Sequence, residues 1–186
     1  DFLPGTKFSY SNSGYIVLGY IVEKASGESY ATFLREHIFA PLHMRDTGYD
    51  ENYPQLPEHA TGYYEHYVKA DFVDMSVPFA AGALYSTVGD LYVWDQALST
   101  HRLVSQQSLD AMFTPHTSCS QGGCPMHTDL GYGYGWFIAQ DANGRLIYHP
   151  GAIDGYITYN GFYPGRNVSI VVLSNLETTD ILKIGS

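Results

Sequence analysis

The last third of this sequence contains four runs of aromatic and β-branched residues, and these runs constrain the fold more than any other feature. Residues of these types favour β-strands. Turn-forming segments, Asp-Ala-Asn-Gly and Pro-Gly-Arg-Asn among them, separate the runs. The pattern predicts an antiparallel meander with strands at 132–139, 145–148, 156–163 and 168–174.

Helical patterns precede the predicted sheet. Residues 14–26 carry apolar side chains at helical spacing and are followed by Gly27, which predicts a mostly buried helix with a left-handed C-terminal cap. A second helix is predicted from about Ser29, with Pro41 as its stop. The two helices together predict a helical hairpin.

Shorter helices are predicted after Thr87, which has capping-box spacing to Asp90, and between residues 105 and 113. The chain is thus helical first and sheet-forming last, which predicts an α+β fold with helices packed against one antiparallel sheet. Residues 49–83 show no sustained period. A connection of this length predicts a functional segment or one that wraps a neighbouring surface.

The charge balance excludes several classes of partner. The 186 residues include 9 Lys and Arg against 19 Asp and Glu, a formal net charge of −10, with no basic cluster. Binding to nucleic acid or to anionic membranes depends on basic side chains, so neither is expected. No stretch approaches the roughly 18 apolar residues of a membrane span.

Tyr10 and Asn12 form the first candidate site, in the loop before the first long helix. In extended backbone, side chains two residues apart project to the same side, so both could face one cleft. A tyrosine hydroxyl could transfer a proton there if a neighbouring cation lowered its pKa. The alternative is helix capping, with Asn12 or Ser13 accepting from the free N–H groups of the helix.

His149, Pro150, Gly151 and Ala152 form the second candidate site, near the end of a predicted strand. Proline cannot donate to a sheet ladder, so Pro150 predicts an edge or a bulge. Gly151 would permit close backbone approach, and the Ala152 N–H would be free to stabilise an oxyanion. The alternative is a surface histidine in a strand-end turn.

These two segments and others in the same order resemble the serine β-lactamase-like family, which includes penicillin-binding proteins, D-Ala-D-Ala carboxypeptidases, class C β-lactamases and related esterases. The resemblance covers nearly the whole chain. It rests on residues 4–15 with Leu18-Gly19 and Ser26-Gly27, on Pro41-Leu42-His43-Met44, on residues 81–87, on residues 131–136, on His149-Pro150-Gly151 with Gly155, and on residues 171–175.

The resemblance implies a role for each candidate residue. Tyr10 matches the tyrosine of the family's Y-x-N motif, a proton acceptor and donor, and Asn12 matches its asparagine, which orients the substrate carbonyl. His149 matches the first residue of a K-T-G or H-x-G triplet and Gly151 its last. The backbone N–H of Ala152 would be one half of the oxyanion hole.

One family motif is missing from the chain. Members carry an S-x-x-K motif, whose serine is the nucleophile and whose lysine helps to deprotonate it. None of the lysines has serine three residues before it; they are Lys7, Lys24, Lys69 and Lys183. Residues 1–186 are therefore expected to be the central and C-terminal portion of a single β-lactamase-like domain, an incomplete β-lactamase/transpeptidase-like fold. Its N-terminal strands and nucleophile helix would lie upstream of Asp1.

A third constellation combines His116, Cys119, Cys124 and His127. A short-range Cys119–Cys124 disulfide is the leading interpretation, with two free thiols next and a zinc site last. A disulfide would place maturation in an oxidising compartment. A periplasmic or extracellular location is therefore favoured over the cytoplasm.

The sequence thus predicts a serine hydrolase that acts through an acyl-enzyme on a β-lactam, a D-amino-acid peptide or a small ester. The missing upstream segment would supply the nucleophile, this fragment alone would be inactive, and no metal or organic cofactor would be needed. The competing hypothesis is a non-catalytic peptide-binding module or inactive paralogue of the same fold. An S-x-x-K motif upstream would favour the enzyme.

Overall fold

A five-stranded antiparallel sheet forms the centre of the chain, and its strand order follows the sequence. The computed structural model describes residues 2–3, 5–52, 59–100, 102–118, 123–126 and 129–185. The predicted α+β class and the predicted meander are confirmed. The strands of this sheet are β3 (Asp129–Tyr132), β4 (Phe137–Asp141), β5 (Gly144–Ile153), β6 (Tyr156–Tyr163) and β7 (Val168–Ser174), and a separate pair is formed by β1 (Gly48–Tyr49) and β2 (Leu84–Tyr85).

The predicted single strand at 132–139 is wrong, because a turn divides it into β3 and β4. Gly135 has a φ of 81°, a backbone conformation that β-branched and aromatic residues avoid. The turn lies against α5 (Gln106–Met112), and Tyr134 N–H donates to the Met112 carbonyl at 2.9 Å. Strand β5 is longer than predicted and includes Pro150.

The first long helix, α1 (Asn12–Ser26), ends as predicted at Gly27, whose φ is 77°. The prediction that it is mostly buried is wrong, since Gly19 is its only buried residue. The helix packs there against Phe79 and Ala80, so closely that a Cβ on Gly19 would lie 2.4 Å from that of Ala80. The other face carries four side chains that are each more than half exposed: Val17, Leu18, Tyr20 and Ile21.

The second helix begins where predicted but does not stop at Pro41. Ser29 caps α2 (Tyr30–Leu34), which continues through a π-helical turn at Arg35–Phe39 into α3 (Ala40–Leu42). Pro41 lies next to the last residue of this continuous helix, just after the π-helical turn. The helix ends at His43, whose φ is 61°. Helix α1 contacts α2, as predicted for a hairpin.

Three further helices cover the sheet: α4 (Val88–Ser99), α5 and α6 (Ile181–Gly185). Thr87 caps α4 as predicted, by accepting from Asp90 N–H. One sheet face packs Leu146 and Tyr148 with Ile181 of α6. The opposite face packs Ile147 with α4 and α5.

The irregular segment after β1 wraps one end of the sheet. This agrees with the prediction that it covers a neighbouring surface. Tyr63 N–H donates to the carbonyls of Gly155 and Asn175, and the Tyr156 hydroxyl donates to the Ala60 carbonyl. The segment therefore covers the end of the β5–β6 hairpin.

Candidate active site

Ser11 caps helix α1, so neither Asn12 nor Ser13 is needed as the cap. Its hydroxyl accepts from Gly14 N–H at 3.2 Å, with extended backbone at Ser11. The alternative prediction that Asn12 or Ser13 caps the helix is therefore wrong. Asn12 is instead the first helical residue and is exposed.

Tyr10 and His149 lie side by side. Their ring centroids are 5.8 Å apart, and the Tyr10 ring also meets the Tyr132 ring edge-on at 6.2 Å. Tyr10 remains 46% exposed, so it is open to an incoming molecule. The loop before α1 and strand β5, far apart in sequence, thus meet at one place.

The environment of Tyr10 does not activate its hydroxyl. Partial burial, and the nearby Tyr15 hydroxyl second, raise the pKa of Tyr10 above its ordinary value. Proton transfer by this hydroxyl at neutral pH needs a neighbouring cation that lowers its pKa. Within the described part of the chain, no basic side chain contributes to the pKa of Tyr10.

Both ring nitrogens of His149 are engaged within the protein. Nδ1 lies 2.6 Å from the carbonyl oxygen of Pro150, and Nε2 lies 3.0 Å from the hydroxyl oxygen of Tyr132. Burial lowers the pKa of His149, against a smaller opposite effect of the Pro150 hydrogen bond. The imidazole is therefore neutral at pH 7, and the alternative of an ordinary surface histidine does not describe it.

Strand β5 has one half paired on both sides and one half open on one side. Strand β4 pairs only with residues 144–148, so residues 149–153 face no other described strand on that side. Two-residue hairpins close with a hydrogen-bonded pair, here Asp141 with Gly144 and Ile153 with Tyr156.

The direction of backbone hydrogen bonding alternates from residue to residue, and counting from either hairpin assigns the same directions along β5. Residues 147, 149, 151 and 153 direct their backbone groups to β6, and even-numbered residues direct theirs to the β4 side. Pro150 occupies an even position, where its missing N–H costs no ladder bond. Ala152 N–H therefore points to the open edge.

Gly151 has no room for a side chain, because Thr158 on β6 lies against it. A Cβ at this position would lie 2.5 Å from the Thr158 hydroxyl oxygen on β6. The absent side chain thus makes room for a neighbouring strand.

Tyr132 is a site residue to which the sequence assigned no role of its own. It is 7% exposed and contacts both Tyr10 and His149. The signal was present in the Gly-Tyr-Gly-Tyr-Gly-Trp run at 131–136, which supported the family resemblance. The sequence does not distinguish Tyr132 from Tyr134, because both lie between glycines in this run. Tyr134 is 62% exposed and stacks on His116 instead.

The third constellation does not enter this site. Among the described residues, no group of three or more His, Cys, Asp or Glu side chains could hold a metal ion. The predicted Cys119–Cys124 disulfide and the alternative zinc site involve Cys119 and His127, which lie outside the described residues. The pairing stays a prediction.

Comparison with known proteins identifies the family to which the chain belongs. The family described as Beta-lactamase matches residues 1–182. The chain is 32% identical to the putative penicillin-binding protein PbpX of Bacillus subtilis, over 94% of this chain and 41% of that protein. It is 33% identical to penicillin-binding protein 4* of the same organism, over 95% of this chain and 41% of that protein.

Solved structures give the same result. A penicillin-binding protein from Bacillus halodurans matches with a TM-score of 0.82 and 28% identity, over 99% of this chain and 56% of that one. A D-stereospecific amidohydrolase from Streptomyces sp. matches with a TM-score of 0.83 and 26% identity, over 95% of this chain and 53% of that one. The 186 residues thus correspond to about half of a β-lactamase/transpeptidase-type fold, and the chain belongs to the serine β-lactamase-like family.

Proposed function

We propose that this chain is the part of a serine hydrolase that carries its Tyr-x-Asn and His-x-Gly motifs, and that the enzyme acts through an acyl-enzyme. The observation that carries the proposal is the contact between Tyr10 and His149, because it joins the two motifs beside an exposed tyrosine hydroxyl. Asn12 follows Tyr10 at the start of α1 and would orient the substrate carbonyl.

The proposed reaction has two half-steps. A serine hydroxyl attacks the substrate carbonyl and its proton passes to Tyr10, which would act as the phenolate because the ammonium group of a neighbouring lysine lowers its pKa. The Ala152 N–H donates to the resulting oxyanion, Tyr10 returns the proton to the leaving group, and an ester of the serine remains. Water then hydrolyses this ester in the same manner, which restores the serine.

The nucleophilic serine and its lysine are proposed to lie N-terminal to Asp1. The raised pKa of Tyr10 supports this, since proton transfer at neutral pH needs a cation that the described residues do not provide. The exposed apolar face of α1 also supports it, because Val17, Leu18, Tyr20 and Ile21 would be covered by further protein.

The proposed substrates are a β-lactam, a D-amino-acid peptide or a small ester. The names of the structural matches, a D-stereospecific amidohydrolase and a D-amino acid amidase from Ochrobactrum anthropi, support a D-configured acyl group. Carboxypeptidase and esterase activities remain part of this proposal.

A periplasmic or extracellular location is also proposed, by analogy with the penicillin-binding proteins that the chain resembles. None of the helices in the described ranges has the length and apolar character of a membrane span.

A labelling experiment tests the proposal. Fluorescent penicillin and a fluorophosphonate are applied to the 186-residue chain and to the longer protein that includes the upstream segment, and adducts are mapped by mass spectrometry. We expect no adduct on the chain alone and a stoichiometric adduct on an upstream serine. Stoichiometric labelling of the chain alone would refute the incomplete site. A folded longer protein that takes no label and hydrolyses no substrate would favour the non-catalytic binding module.

A further inference from the structure

Tyr132 contacts both candidate motifs. Its hydroxyl lies 3.0 Å from His149 Nε2 and 3.4 Å from the hydroxyl of Tyr15, which is on α1. Its ring packs against Tyr10 and, at 4.7 Å, against Phe137. A buried tyrosine on β3 therefore connects α1 to the open half of β5.

The positions of the protons in this network follow from the types of atom involved. The carbonyl oxygen of Pro150 can only accept, so Nδ1 of His149 carries a proton and donates it. In the neutral ring, Nε2 is then an acceptor, and the Tyr132 hydroxyl donates to it. Tyr132 has one proton, so the Tyr15 hydroxyl donates to the oxygen of Tyr132.

The side chains around this network favour the neutral ring. Burial raises the pKa of Tyr132, so its hydroxyl keeps its proton. The side chains in contact with His149 are Tyr10 from the loop before α1, Tyr132 from β3 and Phe137 from β4. None of these carries a charge at pH 7.

We propose that Tyr132 is a positioning residue that holds His149 as the neutral tautomer with its proton on Nδ1, and so fixes the Pro150 carbonyl and the open edge of β5 beside Tyr10. The inference rests on the proposed function of that site. Because both His149 nitrogens are occupied, His149 offers the substrate no charge and no free hydrogen-bonding atom. The side of the rim that His149 and Tyr132 form is accordingly uncharged and aromatic, and would take a neutral part of the substrate rather than a carboxylate.

Nitrogen-15 NMR of histidine-labelled protein tests the tautomer without any need for catalysis. His149 is assigned by the signals lost in His149→Gln. We expect Nδ1 to be protonated and Nε2 to be unprotonated from pH 7 to pH 8. A protonated Nε2 in this range, either in the other tautomer or in the imidazolium ion, would overturn the proposal.

Tyr132→Phe and Tyr134→Phe form a matched pair for the positioning role, since each removes one hydroxyl from the same turn region. Tyr132→Phe should change the His149 Nε2 shift and the midpoint of its titration, and should lower kcat/KM of the longer protein about tenfold, as expected for loss of one positioning hydrogen bond. Tyr134→Phe should change neither. Equal effects of the two variants would overturn the positioning role.

Tyr15→Phe provides a second variant in case Tyr132→Phe does not fold. It removes the hydroxyl that donates to Tyr132 but keeps the hydrogen bond that Tyr132 donates to His149. The His149 spectrum should therefore stay as in the parent protein. A Tyr15→Phe spectrum in which Nε2 became protonated would show that Tyr15 rather than Tyr132 fixes the tautomer, and would overturn the positioning role of Tyr132. A correct tautomer in a longer protein that forms no acyl-enzyme would support the positioning role and refute the proposed function.

Discussion

Asp95 is a carboxylic acid in the core, and its surroundings favour the protonated form. It is 1% exposed on α4, and Asn160 Nδ2 donates to its Oδ1 at 2.9 Å. Its Oδ2 and the Oδ1 of Asn160 are both buried without a hydrogen-bond partner among the described residues. Burial raises the pKa of Asp95 to about 6, although the Asn160 and Ser169 side chains lower it. A proton on Oδ2 would let Asp95 donate to Asn160 and satisfy both oxygens.

Asp95→Asn should therefore stabilise the protein at neutral pH. Between about pH 4 and pH 6 the folded state binds more protons at Asp95 than the unfolded state, so stability falls as the pH rises through this window. Asparagine mimics the protonated acid and removes this fall. The variant should be about 2–3 kcal/mol more stable than the parent at pH 8 and equally stable at pH 4, measured by urea unfolding.

Asp110→Asn is the matched control for this substitution. Asp110 is exposed on α5 and accepts from Gln106 at 2.6 Å. Its replacement should change the free energy of unfolding by less than about 0.5 kcal/mol at pH 4 and at pH 8, as expected for a surface position. The interpretation of Asp95 fails if Asp95→Asn lowers stability at pH 8, because a charged and well-satisfied carboxylate would then be present.

Two important residues of this structure could not be predicted from the sequence. Asp95 meets Asn160 across the packing of α4 on β6, and a single aspartate within a helical pattern gives no sign of such a partner. Tyr132 lies in a glycine-rich aromatic run in which each tyrosine has the same local signal. Tyr10, Asn12 and His149 were identifiable because each stands in a motif, and the structure brings Tyr10 and His149 together.

Strand β5 combines a structural half and an open half. Residues 144–148 pair with β4 and bury Leu146, Ile147 and Tyr148, whereas residues 149–153 pair only with β6 among the described strands. The pattern of backbone directions puts Ala152 N–H on the open side. An edge N–H that already faces away from the ladder is available to a ligand without loss of a sheet hydrogen bond.

Ala152→Pro tests this arrangement, because it removes the N–H and little else. We expect the 186-residue chain to keep its fold, as it already accepts Pro150 two residues earlier. In the longer protein, loss of one oxyanion donor should lower kcat roughly 100-fold to 1000-fold.

Ile153→Pro serves as the control, since the Ile153 N–H points to β6. It should lower the free energy of unfolding by at least about 1 kcal/mol through loss of a ladder bond. Comparable unfolding of the two variants in a urea titration would contradict the assigned direction of Ala152 N–H.

The helices were predictable where local chemistry decides them and not where distant packing does. Gly27 ends α1 because glycine adopts the left-handed conformation, and Ser29, Thr87 and Ser105 cap the helices that follow them. Pro41 was misjudged because a π-helical turn precedes it. The exposure of α1 depends on what covers the helix, which its own periodicity does not record.

The whole chain exposes more surface than a compact protein of its mass. A folded monomer of 20.7 kDa is expected to expose about 8,900 Å², whereas this chain exposes 11410 Å². The apolar face of α1 contributes to this excess. Its size supports the proposal that the chain packs against further protein in the complete enzyme.

Ile21→Ser measures whether the α1 face is covered in the longer protein. Ile21 is 54% exposed here, so the substitution should change the free energy of unfolding of the 186-residue chain by less than about 0.5 kcal/mol. In the longer protein it should cost about 1.5 kcal/mol or more, the value for a buried aliphatic side chain. Val104→Ser, outside α1, should have the same small effect in both. Equal costs of Ile21→Ser in the two proteins would show that the face stays open.

The central claim is that Tyr10, held against His149, transfers the proton during acylation. Tyr10→Phe in the longer protein tests it most directly, with Tyr92→Phe as a control at an exposed tyrosine on α4. The measurement is the rate constant of acylation by a β-lactam or a D-amino-acid ester in rapid-mixing experiments. We predict that Tyr10→Phe lowers this rate constant about 100-fold to 10,000-fold and that Tyr92→Phe leaves it unchanged within about twofold. Acylation of the folded Tyr10→Phe protein at the parent rate would contradict the account.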